Sequence, residues 1–131
     1  MYDLLDDIAK HLVSKTVAQA IAKDIFKDYM PDDQTSSVII AINEYAGTGN
    51  AVFTDMSVRS IQVVTRSKVI ADARHKCWLI FKELCPDSLQ ITIEGRHMIT
   101  KSRCTPMKLS VDSKGRVSYF FNMAVTTNND K

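Results

Sequence analysis

The stretch VSYFFNMAVT, residues 117–126, decides the fold. Apolar residues occupy every second position, at Val117, Tyr119, Phe121, Met123 and Val125. The polar residues Ser118, Asn122 and Thr126 occur only at the positions between them. Successive side chains of a strand point to opposite faces, so this alternation predicts a strand with one buried face. The preceding DSKGR, residues 112–116, offers an Asp to cap a turn and a Gly for a positive φ, which predicts a hairpin. The strongest pattern in the chain therefore predicts a sheet scaffold that works through its surfaces.

Size and composition predict a single domain of ordinary globular character. The chain has 131 residues, 45% hydrophobic and 24% charged, and a formal net charge of +2. That charge is too small to indicate a nucleic-acid or anionic-membrane partner. No apolar stretch approaches the roughly 20 residues that span a bilayer, and the acidic N-terminus is unlike a secretory signal. We expect one α+β domain over residues 1–126, a disordered polar tail over 127–131, and no membrane contact.

Hydrophobic periodicity predicts the order helix, strands, helix, strands. The first helix covers residues 3–14, and Ser67 is the predicted N-cap of a second helix over 68–84. The predicted strands cover residues 38–42, 58–66, 89–93, 97–103 and 117–126, whereas residues 16–29 are ambiguous: 17–23 have helical composition and 24–29 could form a short strand. The continuous apolar run at 38–42 indicates a strand covered on both faces, and the proline of Cys104–Pro106 is expected to end the strand before it. An antiparallel sheet with both helices packed on one face is the most economical arrangement.

Residues 46–56 are expected to form a loop. Gly47 and Gly49 with an adjacent Asn break the strand pattern that ends at Tyr45. A lone Gly-x-Gly pair is weak evidence for phosphate binding, because no third glycine or GK[ST] follows at the required spacing. The segment is interpreted as a hairpin tip or mobile arm.

No set of residues indicates catalysis, a cofactor or a metal. The three cysteines form no CxxC pair and lack a convincing fourth zinc donor, so they are predicted to be buried, reduced and structural. The acidic pairs Asp6–Asp7 and Asp32–Asp33 are interpreted as solvated charge, and His97 as an exposed strand-end residue. Without a nucleophile, base and orienting group in one place, the chain is predicted not to be an enzyme.

A basic face is the main alternative to a purely structural role. Arg96, Lys101, Arg103 and Lys108 cluster in the second half of the sheet with His97 among them. Such a face could follow a phosphate backbone, but no aromatic residues interleave with the charges to stack bases. A solvated face or contact with an acidic protein is favoured, and a small nucleic-acid-binding module remains the alternative.

Several landmarks, taken in order, resemble the tail terminator and minor capsid proteins of long-tailed bacteriophages, also described as tail-to-head joining proteins. The resemblance extends from the first helix to Met123. The landmarks are Asp24–Phe26, Met30–Pro31, Val38–Ile40, Glu44, Gly47, Ile61–Arg66, an Ala-containing helix, Thr105–Pro106 and Asp112–Arg116. The polar segment after the first helix and the longer loop at 46–56 depart from the family pattern.

The resemblance implies a structural protein of the virion. Such proteins assemble as a ring, typically of six subunits, on the finished tail tube, stop its polymerisation and present a surface to the head connector. The implied partners are further copies of the chain, the tail tube protein and the connector or stopper protein, with DNA only passing through the lumen. The implied location is the head–tail junction, with assembly in the host cytoplasm. A connector-side head-completion (stopper) protein is the alternative within this class.

Two sets of residues are predicted to make these contacts. The loop is predicted to contact the tube or connector through Gly47, Asn50, Val52, Phe53 and Asp55. Glu44 and Arg66, both at strand ends, are predicted to form a salt bridge between subunits, the alternative being that they are unrelated surface charges. Trp78 is predicted to pack at the edge of the helix stripe or against a neighbouring subunit.

Overall fold

A mixed sheet with two helices forms the fold. The computed structural model describes residues 3–18, 23–31, 38–45, 56–86 and 90–128. The elements are α1 (Leu4–Ser14), β1 (Ile25–Lys27), β2 (Val38–Tyr45), β3 (Met56–Ser67), α2 (Ile70–Leu84), β4 (Gln90–Ile93), β5 (Arg96–Val111) and β6 (Val117–Asn128). The described strands form a six-stranded sheet in the order β1-β2-β3-β6-β5-β4. Neighbouring strands are antiparallel except β1 and β2, which run parallel. The predicted α+β class and element order are confirmed.

The alternating positions of β6 face the core, as predicted. Phe121, Met123 and Val125 are fully buried against Ile61 and Val63 of the neighbouring β3. Residues of both helices pack in this same cluster: Leu4, Leu5, Ile8, Ala9 and Leu12 from α1, and Cys77, Ile80 and Leu84 from α2. Removing these apolar surfaces from water is the main favourable contribution to folding.

Helix α1 begins where its local chemistry predicts. The carboxylate of Asp3 accepts a hydrogen bond from the backbone N–H of Asp6 at 3.1 Å, which satisfies one free N–H of the first turn. The helix contacts β1 and β2 at one side of the sheet and β4 at the other. The sheet must therefore curve around α1. The Nε2 of His11 on α1 lies 3.0 Å from a carboxylate oxygen of Glu83 on α2, which links the two helices.

Helix α2 starts two residues later than predicted. Ser67 is the last residue of β3, and its hydroxyl oxygen accepts the backbone N–H of Val69 at 3.1 Å instead of capping a helix that begins at Lys68. The helical spacing of the apolar residues predicts an inner stripe of Ile70, Ala73, Cys77, Ile80, Phe81 and Leu84. The prediction is correct at Ala73, Cys77, Ile80 and Leu84, which are fully buried, and Phe81 is half-buried. The prediction that Ile70 lies in that stripe is wrong, since its side chain is 39% exposed.

Strand β5 continues through the predicted break. The structure pairs Arg96–Val111 with β6 in one strand, with register shifts between Ser102 and Cys104, between Cys104 and Met107, and between Lys108 and Ser110. These irregularities place extra residues on β5, so the strand accommodates Pro106 without ending there. The predicted end of the strand near residue 103 is therefore wrong.

The hairpin turns are confirmed. Asp112 accepts backbone N–H bonds from Lys114 and Arg116 at 3.0 and 2.9 Å, and Gly115 has φ +76°. A second turn at Glu94 and Gly95 joins β4 to β5, with φ values of +50° and +76°.

The last strand continues into the predicted polar tail. Thr127 pairs with Ser57 and is 1% exposed, and Asn128 pairs with Met56. The structure therefore adds two residues to the end of the domain, and residues 129–131 lie outside the described part. Strand β2 is buried on both faces at Ile39–Ile42, as its apolar run predicted, although it lies next to the edge strand β1.

Candidate functional site

Glu44 is held by Arg59 within the same chain. The guanidinium Nε and Nη2 of Arg59 donate to the two carboxylate oxygens of Glu44 at 2.7 and 2.6 Å. Both side chains are partly exposed, at 23% and 32%, so the pair contributes at most about 1 kcal/mol to stability. Its bidentate geometry instead fixes the position of both charges at the ends of β2 and β3.

The structure does not bring Glu44 and Arg66 together within one chain. Glu44 lies opposite Ile61, and Arg66 lies opposite Ile39, five residues along β3 from Ile61. That separation corresponds to about 17 Å along the strand. Arg66 is 7% exposed, and its guanidinium donates to the backbone carbonyl of Pro31. The pairing of Glu44 with Arg66 of another subunit stays a prediction.

Sequence reasoning missed Arg59 as the partner of Glu44. The cross-strand register places Ile61 opposite Glu44, and Arg59 shares the face of Ile61 two residues away. The alternation of β3 did put Arg59 on the same face as Ile61, so the face was recoverable from the sequence. The register between β2 and β3 was not recoverable, because the sequence of the segment between them does not specify where pairing starts.

Trp78 belongs to an exposed apolar surface on α2. Its ring makes an edge-to-face contact with Phe81 at 5.4 Å, and Phe81 makes a similar contact with the buried Phe121 at 5.3 Å. Trp78 nevertheless remains 37% exposed, and Leu79 beside it is 40% exposed. We call Trp78 and Leu79 the helix patch. The structure thus places Trp78 at the edge of the helix stripe with part of its ring open to solvent.

Three exposed apolar side chains lie at the end of β5, where the register shift between Lys108 and Ser110 puts Met107 and Val111 on opposite faces of the sheet. Met107, Leu109 and Val111 are 49%, 51% and 53% exposed, and we call them the edge patch. On its other side β5 pairs with β4, but only over Arg96–Ile99. Among the described strands, none pairs with that side of β5 from Thr100 to Val111. Backbone N–H and C=O groups on this side therefore have no sheet partner within the described part of the chain.

The predicted basic face lies on the same strand. Lys101, Arg103 and Lys108 are exposed, whereas Arg96 is half-buried. His97 is exposed, and its Nδ1 lies 3.1 Å from the hydroxyl of Thr92 across the β4–β5 hairpin. Cross-strand pairing sets Lys101 opposite Ala124 and Lys108 opposite Tyr119, so these two charges lie on opposite faces of the sheet, and the basic face stays a prediction.

The prediction that all three cysteines are buried is correct only for Cys77, because Cys85 and Cys104 are half-buried. Burial raises the pKa of the Cys77 thiol and of the Cys85 thiol to about 12 in each case. Both thiols are protonated at neutral pH, which removes their nucleophilic form. Cys77 is fully buried, and Cys85 lies with its Sγ 3.7 Å from the sulfur of Met123.

The described residues offer little for catalysis or metal binding. No group of three or more His, Cys, Asp or Glu side chains that could hold a metal ion occurs in the ranges described above. A shallow open depression is lined by Gln90, His97, Met98, Ile99 and Thr126. Its only ionisable side chain is His97, so it contains no acid–base pair.

The predicted loop site falls outside the part of the chain that the structure describes. Gly47, Asn50, Val52, Phe53 and Asp55 all lie within residues 46–55. The strands on either side of this segment, β2 and β3, are antiparallel neighbours. Its contact role stays a prediction.

Comparison with known proteins identifies the family. No helix in the described residues is long and apolar enough to cross a membrane. No curated protein matches the chain in sequence. The family model described as "Bacteriophage tail terminator protein" matches residues 4–129, which takes in α1 through the end of β6. The chain therefore belongs to the bacteriophage tail terminator protein family.

Proposed function

We propose that copies of this chain assemble as a ring, six in number, on the completed tail tube, stop its polymerisation and join it to the head connector. Family membership makes the chain a structural, tail-associated protein of the virion. The observation that carries the proposal is the match over residues 4–129, because it spans the whole described fold and not one motif. Assembly takes place in the host cytoplasm before the tail is joined to the head.

The distribution of exposed apolar side chains supports assembly with other proteins. The helix patch lies on α2 and the edge patch on β5, so the subunit presents apolar surface on two different elements. A closed ring built from head-to-tail contacts requires two unlike surfaces on each subunit. A subunit between a tube and a connector requires further surfaces for those partners.

The loop at 46–56 is proposed to contact the tube or the connector. Val52 and Phe53 are apolar residues in an otherwise polar, glycine-containing segment. We expect deletion of residues 50–54 to leave a folded subunit and to abolish head–tail joining. A matched control replaces the same residues with an equal number of Gly and Ser, which keeps the loop length. Normal joining by the deletion variant would remove the loop from the proposal.

Glu44, Arg66 and Trp78 remain the proposed subunit contacts from the sequence. If Glu44 of one subunit pairs with Arg66 of the next, single charge reversals should block assembly and the double reversal should partly restore it. Because Arg59 already binds Glu44, the reversal Arg59→Glu is the matched control. If Arg59→Glu restores assembly of the Glu44→Arg variant and Arg66→Glu does not, then Glu44 forms its charge pair within one subunit and not between subunits. Trp78→Ala tests the helix patch in the same assembly assay.

Polymerisation of the tail tube protein of the same phage tests the proposal directly. The purified tube protein is polymerised with and without this chain and imaged by electron microscopy. We expect tubes that end in a ring, with growth arrested at substoichiometric amounts. Unchanged, uncapped tubes would contradict the terminator role and favour the connector-side stopper. A steep salt dependence of DNA binding in a gel-shift assay would instead favour the basic face of Arg96–Lys108 as a nucleic-acid site.

A further inference from the structure

The helix-facing side of β5 is open at the end of the strand. Lys108 lies opposite Tyr119 and Val111 lies opposite Val117 in the pairing of β5 with β6. Cross-strand partners share a face, and Val117 and Tyr119 are on the helix-facing side of β6, so Lys108 and Val111 point to that side too. Lys108 is nevertheless exposed and Val111 is 53% exposed, whereas Val117 beside it is 8% exposed. Neither α1 nor α2 therefore covers this end of β5.

Helix α2 begins beside this open end. Its path along β6 is fixed by three contacts: Arg74 with Tyr119, Phe81 with Phe121, and Cys85 with Met123. Residue numbers rise together on both elements, so the first turns of α2 lie near Tyr119 and the last turn lies near Met123. Ile70, the first residue of α2, is 39% exposed and precedes Arg74 by about one turn. The first two turns of α2 thus form one border of the open end.

We call Ile70, Arg74, Lys108, Val111 and Tyr119 the shelf. Ile70 and Arg74 stand four residues apart in sequence, so they share one side of α2. The half-buried Tyr119 links the two borders of the shelf: its hydroxyl accepts a hydrogen bond from Arg74 Nε at 3.2 Å, and it lies across the strand pair from Lys108. The shelf therefore combines two exposed apolar side chains, Ile70 and Val111, with two cations on either side of one tyrosine.

The two cations of the shelf are placed to bind a carboxylate of another molecule. The guanidinium carbon of Arg74 lies 5.8 Å from the centroid of the Tyr119 ring, which holds the charge over the shelf. In the described part of the chain neither Arg74 nor Lys108 has a carboxylate partner. Asp72 is close to Arg74 in sequence, but a spacing of two residues puts it on the other side of α2. A carboxylate on the shelf would thus form charge-assisted hydrogen bonds.

These features fit an acidic surface of another protein better than DNA or a second copy of the chain. DNA is held by many phosphate contacts, and the aliphatic Ile70 and Val111 offer nothing to a phosphate. Apolar side chains with complementary charges around them are typical of protein–protein contacts. The exposed acidic residues in the described part of the chain lie on five separate segments, at Asp3, Asp28, Glu44, Asp72 and Glu94. A second copy thus presents no cluster of carboxylates in that part.

We propose that the shelf docks a segment of the tail tube protein that carries carboxylates next to an apolar side chain. The proposal rests on the function proposed above, in which the ring is built on the tube, and it names the surface and the chemistry of that contact. Ile70 and Val111 cover the apolar side chain, while Arg74 and Lys108 bind the carboxylates. The contact accounts for the exposure of Val111 on a side of the sheet whose other apolar residues are buried.

Site-specific photo-cross-linking tests the contact. Val111 is replaced by p-benzoylphenylalanine, the full chain is added to polymerising tail tube protein, and the products of irradiation are identified by mass spectrometry. Met107 is the matched control position, because it is 49% exposed near the same end of β5 but lies opposite Phe120, on the other face of the sheet. We expect links from position 111 to an acidic peptide of the tube protein, and only background links to that peptide from position 107.

The outcomes separate this contact from the terminator role. If the tubes are capped but position 111 links to another copy of the chain, to a peptide without acidic residues, or to nothing, the contact is overturned and the terminator role stands. Equal links from positions 111 and 107 overturn the contact as well. Uncapped tubes in which position 111 links to an acidic peptide of the tube protein would contradict the terminator role and support the contact. Uncapped tubes without such links would overturn both.

Charge reversal supplies an independent test that leaves the apolar part of the shelf unchanged. Lys108→Glu should weaken co-sedimentation of the chain with preformed tubes roughly tenfold, because it repels the carboxylates of the partner. Lys101→Glu is the matched control, since Lys101 is exposed on the same strand but lies opposite Ala124, on the other face of the sheet. Equal weakening by both substitutions, or no weakening by Lys108→Glu, would overturn the proposal. If Lys108→Glu weakens binding of duplex DNA in a gel shift and leaves co-sedimentation unchanged, the shelf is a nucleic-acid site and the proposal is overturned.

Discussion

Truncating Phe121 to alanine tests whether both helices and the sheet form one core. Phe121 is fully buried on β6, and its ring packs edge-to-face on Phe81 of α2 at a centroid distance of 5.3 Å and an angle of 84°. Loss of a buried phenylalanine costs about 3–5 kcal/mol, of which the ring pair supplies about 0.5–1.5 kcal/mol. Domains of this kind have total stabilities of about 5–15 kcal/mol. Phe121→Ala should therefore remove a large fraction of the stability of the fold.

Phe120→Ala is the matched control for this substitution. Phe120 is the adjacent residue, is only partly buried, and lies on the sheet face away from the helices, opposite Val64 and Met107. Its truncation should cost about 1–2 kcal/mol, because much of its surface is already in contact with water. The two variants thus differ in burial and face but not in chemistry.

Urea unfolding followed by tryptophan fluorescence measures both effects. Trp78 is the only tryptophan in the chain and contacts Phe81, so its emission reports on the α2–β6 interface. With a urea m-value of about 1–3 kcal/mol/M, a loss of about 3–5 kcal/mol in Phe121→Ala should lower the unfolding midpoint by roughly 1–5 M. Equal shifts for the two variants, or a larger shift for Phe120→Ala, would refute the assignment of the core to the helix face.

Three further predictions follow from single residues. Thr65→Val should lower the free energy of unfolding by about 1–2 kcal/mol, because the buried Thr65 hydroxyl donates to the carbonyl of Ala73 at 2.8 Å. Thr65→Ser keeps the hydroxyl and should retain most of the stability in the same urea assay. The backbone N–H groups of the β5–β6 turn hold the pKa of Asp112 below its ordinary value of 3.8, so its stabilising contribution is present above that value and is lost as pH falls through the lower folded pKa. Acid titration of stability should therefore show a smaller loss below pH 4 for Asp112→Asn than for the unchanged chain, and identical profiles would contradict the role of Asp112. Burial of Cys77 and Cys85 predicts that iodoacetamide labels them at neutral pH only after unfolding, and rapid labelling of the native chain at either thiol would show that it is accessible.

The elements of the fold that have a strong local pattern were predictable. The alternation of β6, the Asp112–Gly115 turn and the buried stripe of α2 each follow from side-chain periodicity or turn chemistry within a few residues. These patterns reflect interactions between neighbours in sequence, so no knowledge of distant residues is needed to interpret them. The family resemblance rested on the order of such landmarks, and the family match confirms it.

Features that depend on distant residues were not predictable. The parallel pairing of β1 with β2 joins segments separated by residues 28–37, and nothing in the three residues of β1 specifies its direction. Pro106 indicated a strand end, but the neighbouring register shifts let β5 continue past it. The partner of Glu44 depended on the register between β2 and β3, which selected Arg59 over Arg66.

For the candidate surfaces, too, the local features were predictable from the sequence and those that depend on distant residues were not. The sequence gives the charges of residues 96–116 and the apolar character of Met107, Leu109 and Val111. Only the structure reveals that β4 pairs with β5 over Arg96–Ile99 alone, which leaves the edge patch on an open edge. The apolar residues at the end of β5 would otherwise have been taken for core positions.

Cryo-electron microscopy of the head–tail junction of the phage tests the central claim most directly. The account predicts a ring at the head-proximal end of the tail tube in which each subunit fits the six-stranded sheet with α1 and α2 on one face. Density for this fold on the connector side, separated from the tube by another protein, or absence of the fold from the junction, would contradict the account.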